Sequence, residues 1–169
     1  MLSKSMRLGV LLALGSVLGA CGDDGYDPNS CKPDGVADVE GMVKNEPIGP
    51  FVRAQQIMTN QATGPGYAIV LDEVPGACGE LAPTGKHLVF LFCAPPVAAI
   101  YAIGSEQSFR CPTNGVLALI EKTGGTDFAT ATAGTLTIQH AEGSCLDATY
   151  SATFGIDDLT GAFDALVCP

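Results

Sequence analysis

The run "GTLTIQHAEGSCLDATYSATFGIDDLTGAFDALVC", Gly134 to Cys168, decides the fold. Within "LDATYSATF", Leu146, Ala148, Tyr150, Ala152 and Phe154 occupy one face and Asp147, Thr149, Ser151 and Thr153 the other, the two-residue period of a strand buried on one side. "GTLTIQHA" before it sends Leu136 and Ile138 inward, with His140 next in that inward series. "LTGAFDALV" after it repeats the pattern with Leu159, Phe163, Ala165 and Val167. The turn-forming segments "AEGS" (141–144) and "GIDD" (155–158) separate the runs, so residues 134–167 are expected to form an antiparallel three-stranded meander.

Further strands are expected over Val36–Val43, Val52–Thr59, Tyr67–Asp72, Lys86–Cys93, Ile100–Ile103 and Val116–Lys122. "HLVFLFC" and "VLALI" are continuously apolar, as in strands covered on both faces. No window keeps apolar residues at three- and four-residue spacing without an intervening Gly or Pro, so no helix is expected beyond one short turn in "VPGACGELAP" (74–83). Eight or nine strands with frequent turns imply an all-β domain over residues 36–169. The expected layout is an antiparallel two-sheet β-sandwich, with a closed β-barrel as the alternative.

The N-terminus reads as an address. Lys4 and Arg7 precede an uncharged run from Leu8 to Ala20, the layout of a secretory signal peptide over residues 1–20. That run holds three glycines and a serine and falls short of the roughly 20 apolar residues that cross a bilayer. Leu18-Gly19-Ala20-Cys21 is similar to a bacterial lipobox. The resemblance implies cleavage before Cys21, a diacylglycerol on its thiol and, usually, an acylated amine, so Cys21 is the expected lipidation site and the bilayer its partner. Gly22, standing where an aspartate would favour inner-membrane retention, points by analogy to the outer membrane. Residues 21–35 hold few apolar side chains and many turn formers, and are expected to be a lipidated tether.

Composition narrows the partners. Cleavage removes both Lys4 and Arg7, taking the formal charge from −10 to −12. A body that acidic repels phosphates, so nucleic acid is not an expected partner. Of seven cysteines, setting Cys21 aside leaves Cys31, Cys78, Cys93, Cys111, Cys145 and Cys168, an even number in a chain addressed to an oxidising compartment. Disulfides are expected rather than metal ligation, because neither a C-x-x-C nor an H-x-x-x-H pair is present. Cys93 and Cys111 bracket a short apolar excursion and are the one pairing expected, the others staying open.

The C-terminal third is also similar to the ending of a group of small, uncharacterised lipoproteins from myxobacteria and related bacteria. The shared features are a Gly-Thr strand, a strand ending in an aromatic residue and glycine, then "LTGAFDA" and a final cysteine. The likeness covers about 35 residues specifically. It implies a strand meander and lends no catalytic residue.

No chemistry announces itself. His87 and His140 have no motif around them, and no G-x-S-x-G is present. Asp23, Asp24 and Asp27, like Asp157 and Asp158, do not match a calcium loop. "TGPGYA" (63–68) and "GGTDF" (124–128) do not open helices and do not cradle phosphate. With no Trp, and with Tyr67, Tyr101 and Tyr150 on expected strands, packing explains the tyrosines better than sugar stacking. The expectation is a non-enzymatic structural or binding module of the cell envelope, without cofactor or metal, contacting a protein or glycan through loops 60–66, 104–114 and 123–133. The alternative is a surface hydrolase or carbohydrate-active protein drawing a carboxylate pair from Glu73, Glu80, Glu106 and Glu121.

Overall fold

A computed structural model describes residues 37–59, 64–106, 109–122 and 126–168. The described residues contain no helix. They form β1 (Asp38–Val43), β2 (Glu46–Pro47), β3 (Arg53–Met58), β4 (Tyr67–Asp72), β5 (Lys86–Phe92), β6 (Ala99–Gly104), β7 (Val116–Lys122), β8 (Thr126–Thr130), β9 (Ala133–Glu142), β10 (Cys145–Phe154) and β11 (Asp157–Val167). The meander β9–β10–β11 lies where the alternation places it, and β4 and β7 keep their expected bounds. Two strands come in addition. β2 is a two-residue edge, and β8 rises from the segment expected to be a loop over 123–133, pairing with β7 from Thr126 to Thr130. The stretch 74–83 contains no helical turn; its local hydrogen bond is a tight turn in which Glu80 N donates to Ala77 O.

The protein is all-β, and of the two layouts the closed barrel is the one formed. The strands run in the order β10-β9-β6-β7-β5-β4-β3-β11, and β11 pairs again with β10, so what a sandwich would divide into two sheets is one sheet of eight strands closed on itself. The physical reason lies in β11. One edge pairs with β10 along its whole length. The other edge takes β1 opposite Leu159 to Ala162 and then β3 opposite Leu166 and Val167. A strand used on both edges cannot end a sheet, so the sheet closes and leaves no edge in the barrel wall.

Two seams in the wall are parallel and short. β11 meets β3 only at Leu166↔Gln55 and Val167↔Gln56, and β6 meets β7 only at Ile103↔Val116 and Gly104↔Leu117. Each seam has a disulfide beside it. Cys168, the residue after β11, is bonded to Cys78, and Cys93, the residue after β5, is bonded to Cys111 in the connection between β6 and β7, the expected pairing.

Inward side chains fill the barrel. Phe90 packs against Tyr150 and Phe163 at centroid distances of 5.3 and 5.9 Å, surrounded by Ile69, Leu71, Leu88, Ile120, Leu136 and Leu159. Gly161 is required here. A Cβ at that position would collide with the Asp38 carbonyl and the Tyr150 ring, so a larger residue would push β1 off β11. The Tyr150 hydroxyl is buried without a hydrogen-bond partner among the described residues, and burial raises its pKa.

A second apolar layer, Ala68, Val70, Val89, Leu117 and Leu119, lies on the opposite face of β4, β5 and β7 with Ile57, Leu91 and Phe109 packed against it. Coverage on both faces explains why "HLVFLFC" and "VLALI" are continuously apolar.

Candidate functional site

The two ends of the barrel differ in chemistry. At one end, β10 turns into β11, β7 finishes and β5 begins, and the side chains are charged. Lys122 Nζ donates to Glu46 Oε1 at 2.8 Å and lies 4.0 Å from the centre of the Phe128 ring. Lys44 Nζ lies 4.9 Å from the same ring and donates to the Phe128 carbonyl, while Lys44 N donates to Asp157 Oδ2 at 2.8 Å. Lys86 Nζ donates to Pro47 O at 2.6 Å. The hydrogen bond from Lys122 holds the Glu46 carboxyl below its ordinary range. Buried Val43, Ile48 and Phe51 carry the β1–β2 hairpin and the chain after it.

The other end is apolar. Register puts Met58 opposite Tyr67 and Tyr67 opposite Phe92. Phe92 meets Tyr101 edge-on at 5.3 Å, and Tyr101 Oη bonds both backbone groups of Val97. A depression of about 400 Å³ opens beside the β6–β7 seam, lined by Phe92, Pro95, Val97, Ile100, Tyr101 and Asn114 among others. Several of these side chains face outward: Ile100 is 75% exposed, Met58 70% and Val97 57%. Cys145 and the end of β11 lie at this end too, paired at Cys145↔Leu166.

The histidines and carboxylates weighed as candidates for chemistry lie elsewhere. His87 is buried, its Nδ1 2.5 Å from Asp72 Oδ1, and Asp72 Oδ2 accepts from Arg53 Nε at 2.7 Å and from Arg53 Nη2. Arg53 also donates to Ala77 O at 2.7 Å and Glu80 O at 2.8 Å, and Gln55 Nε2 donates to Glu80 O at 2.7 Å. Arg53 and Gln55 thereby strap the connection between β4 and β5 onto the outside of β3, where Cys78–Cys168 pins it again. His87 is buried at the base of this clamp, against Asp72.

His140 departs from the expected inward series. Ala148 pairs with Ile138, but Asp147 pairs with His140, so β9 carries one extra residue at Gln139. That β-bulge turns His140 to the face that Asp147 shares, away from Leu136 and Ile138. Beside it Asp38, Gln139, Asp147, Thr149 and Asp164 line a shallower depression of about 360 Å³.

The carboxylate pool does not gather. Glu73 accepts from Gly49 N and Lys86 N at 3.1 and 3.0 Å, Glu80 is exposed on the strapped connection, Glu106 is exposed after β6, and Glu121 faces His87 across β5 and β7. None of the four lines either depression. Asp158 accepts from the Thr153 hydroxyl at 2.7 Å within the hairpin, and Asp157 accepts from Lys44 N. Among the described residues no group of three or more His, Cys, Asp or Glu is placed to hold a metal ion, and no helix is long and apolar enough to cross a membrane.

Cys21, Cys31, Asp23, Asp24 and Asp27 lie outside the described residues. Cys145 is disulfide-bonded, as are Cys78, Cys93, Cys111 and Cys168. Sequence reasoning missed the apolar end. "APPVAAIYAIG" is apolar throughout, so no alternation marks which of its side chains leave the barrel.

Neither a protein-family model, nor a curated protein, nor a solved structure matches this chain.

Proposed function

We propose that this protein is a bacterial lipoprotein, exported, cleaved before Cys21, acylated there and held on the outer membrane as a non-enzymatic structural or binding module. The observation that carries the reading is Leu18-Gly19-Ala20-Cys21 at the end of an apolar run too short to span a bilayer. Cysteine chemistry supports it. All five described cysteines are oxidised, which fits an exported chain, and an odd total of seven leaves one cysteine for lipid. Two or more acyl chains on one residue give stable attachment where a single chain gives only reversible binding. The filled barrel interior supports a module that works through its surface rather than by enclosing a ligand.

The test is metabolic labelling with radioactive palmitate in a bacterial host. The full chain is expected to take up label and sediment with membranes, and C21A to lose the label and remain unprocessed. Equal labelling of C21A would overturn the anchor, as would release of the full-length protein in unlabelled, soluble form.

A further inference from the structure

We propose that the depression beside the β6–β7 seam binds an extended polypeptide segment as an added strand, uncharged where it lies in the slot and basic at its flanks. This deepens the binding-module reading and rests on it, while the lipid anchor plays no part.

The slot is a missing length of strand. β7 stands between β5 and β6, and its pairings begin at Leu91↔Leu117 on one side and Ile103↔Val116 on the other. Both neighbours run on past the start of β7, β5 forward through Phe92 and β6 back to Ala99. Two strand spacings, about 10 Å, therefore separate β5 from β6 with no described strand between them, over roughly 13 Å of β6. The depression of about 400 Å³ occupies this place. Phe92 and Cys93 line one side, Ile100 and Tyr101 the other, and Asn114 and Gly115 the end where β7 begins. The edge-on Phe92 and Tyr101 rings, which pack with the core, close it on the barrel side.

The backbone of β6 is turned to receive a strand. A Cβ on Gly115 would touch the Ala102 carbonyl oxygen at 3.4 Å, so that carbonyl faces β7. Antiparallel ladders alternate, and Ile100, two residues back, presents its N–H and C=O to the same side, where β7 has not begun. The phase of β9 agrees independently. The Ser151 carbonyl would collide with a Cβ on Gly134, so Ser151 and its partner Thr135 are bonded across β9 and β10, and Thr137, two residues on, also turns to β10 and away from Ile100. Among the described residues no loop backbone group bonds Ile100.

Two other edges are blunted. β2 ends in Pro47, whose carbonyl accepts from Lys86, and β9 is distorted by the bulge at Gln139 where it runs past β6. From Ala99 to Ala102, β6 carries no proline, charge or bulge. An open edge beside an apolar slot selects a backbone before it selects side chains, as in recognition by strand addition. Charge sets the rest. No ionic side chain lines the slot, while the whole chain carries a formal −10, so the seated residues are uncharged and basic flanks are attracted.

The test titrates the full chain, in dodecyl maltoside, against a fluorescein-labelled peptide Lys-Thr-Val-Ala-Val-Thr-Lys and reads anisotropy. Saturable binding is expected, with a glutamate-flanked counterpart weaker at low salt and the difference shrinking as salt rises. Replacing one amide at a time by an ester removes a single N–H. The expected signature is a loss of about two- to tenfold at the position facing Ile100 and none at its two neighbours. A photo-leucine in place of the central alanine is expected to cross-link to residues 92–95, 99–102 or 113–115. No saturation at millimolar peptide overturns the proposal. So do esters without effect at every position, which would mean an apolar molecule held by side chains alone, and cross-links that map to another edge. A chain found as a dimer that the peptide cannot enter overturns it in favour of a second copy. Palmitate labelling is untouched by any of these results, so the anchor is scored separately.

Discussion

The two ends of this barrel close by different means. At the charged end described ionic side chains find protein partners: Lys122 with Glu46 and the Phe128 ring, Lys44 with the Phe128 carbonyl and ring, Glu73 with two backbone N–H groups. At the apolar end large side chains are left in the open and a depression stands beside the β6–β7 seam. The charged end has its own exposed Ile156, so what separates the two ends is the ion pairing at one and the depression at the other. The difference teaches that the depression beside the β6–β7 seam, rather than exposed apolar side chains as such, sets the apolar end apart.

The comparison can be broken at its strongest point first. Asp72 lies between Arg53 and His87 and is fully buried, so D72A leaves a guanidinium under the strapped connection without its counter-charge. Removing one partner of a buried pair costs about 3–5 kcal/mol, and urea denaturation should register that loss. A loss near zero would show that the clamp is not what fixes this side of the barrel.

The seams give the next effect. C78S frees Cys168 beside the two-residue junction of β11 with β3, and loss of a native bridge costs about 2–5 kcal/mol. Hydrogen exchange should rise first at Gln55, Gln56 and Val167. Uniform exchange across all strands would show that the seam is no weaker than the rest of the wall.

The smallest effects separate the two ends. Lys122 lowers the pKa of Glu46, so the stability this pair contributes is present above the ordinary carboxylate value of 4.5 and is lost as pH falls through the lower folded value. E46Q is therefore expected to lower the melting temperature slightly at neutral pH and to match the wild type in strong acid. I100S, on an exposed side chain, should stay within about 0.5 kcal/mol of the wild type in detergent-free solution at any pH. A pH-dependent change in I100S would erase the distinction between the ends.

Alternation made the meander legible, because Leu146 to Phe154 and Leu159 to Val167 each present one face to a core. The continuous apolar runs of β5 and β7 also read correctly as strands covered on both sides. Closure was less legible. A sandwich and a barrel share the same local patterns, and they differ in whether β11 finds β3, a two-residue parallel contact with no sequence signature. β8 was hidden by the "GGT" before it, which reads as a flexible loop. His140 misled because a bulge at Gln139 reverses the two-residue count, and a bulge depends on the partner strand. The Arg53–Asp72–His87 cluster is absent from linear reading for the same reason: its members come from three strands and meet only through register.

The measurement that tests the account most directly is the mass of the N-terminal peptide of the protein taken from its native membrane. The account predicts a peptide that begins at Cys21, with a diacylglycerol on its sulfur and residues 1–20 gone. A peptide that retains those residues, or a Cys21 found as a free thiol or in a disulfide, would contradict it.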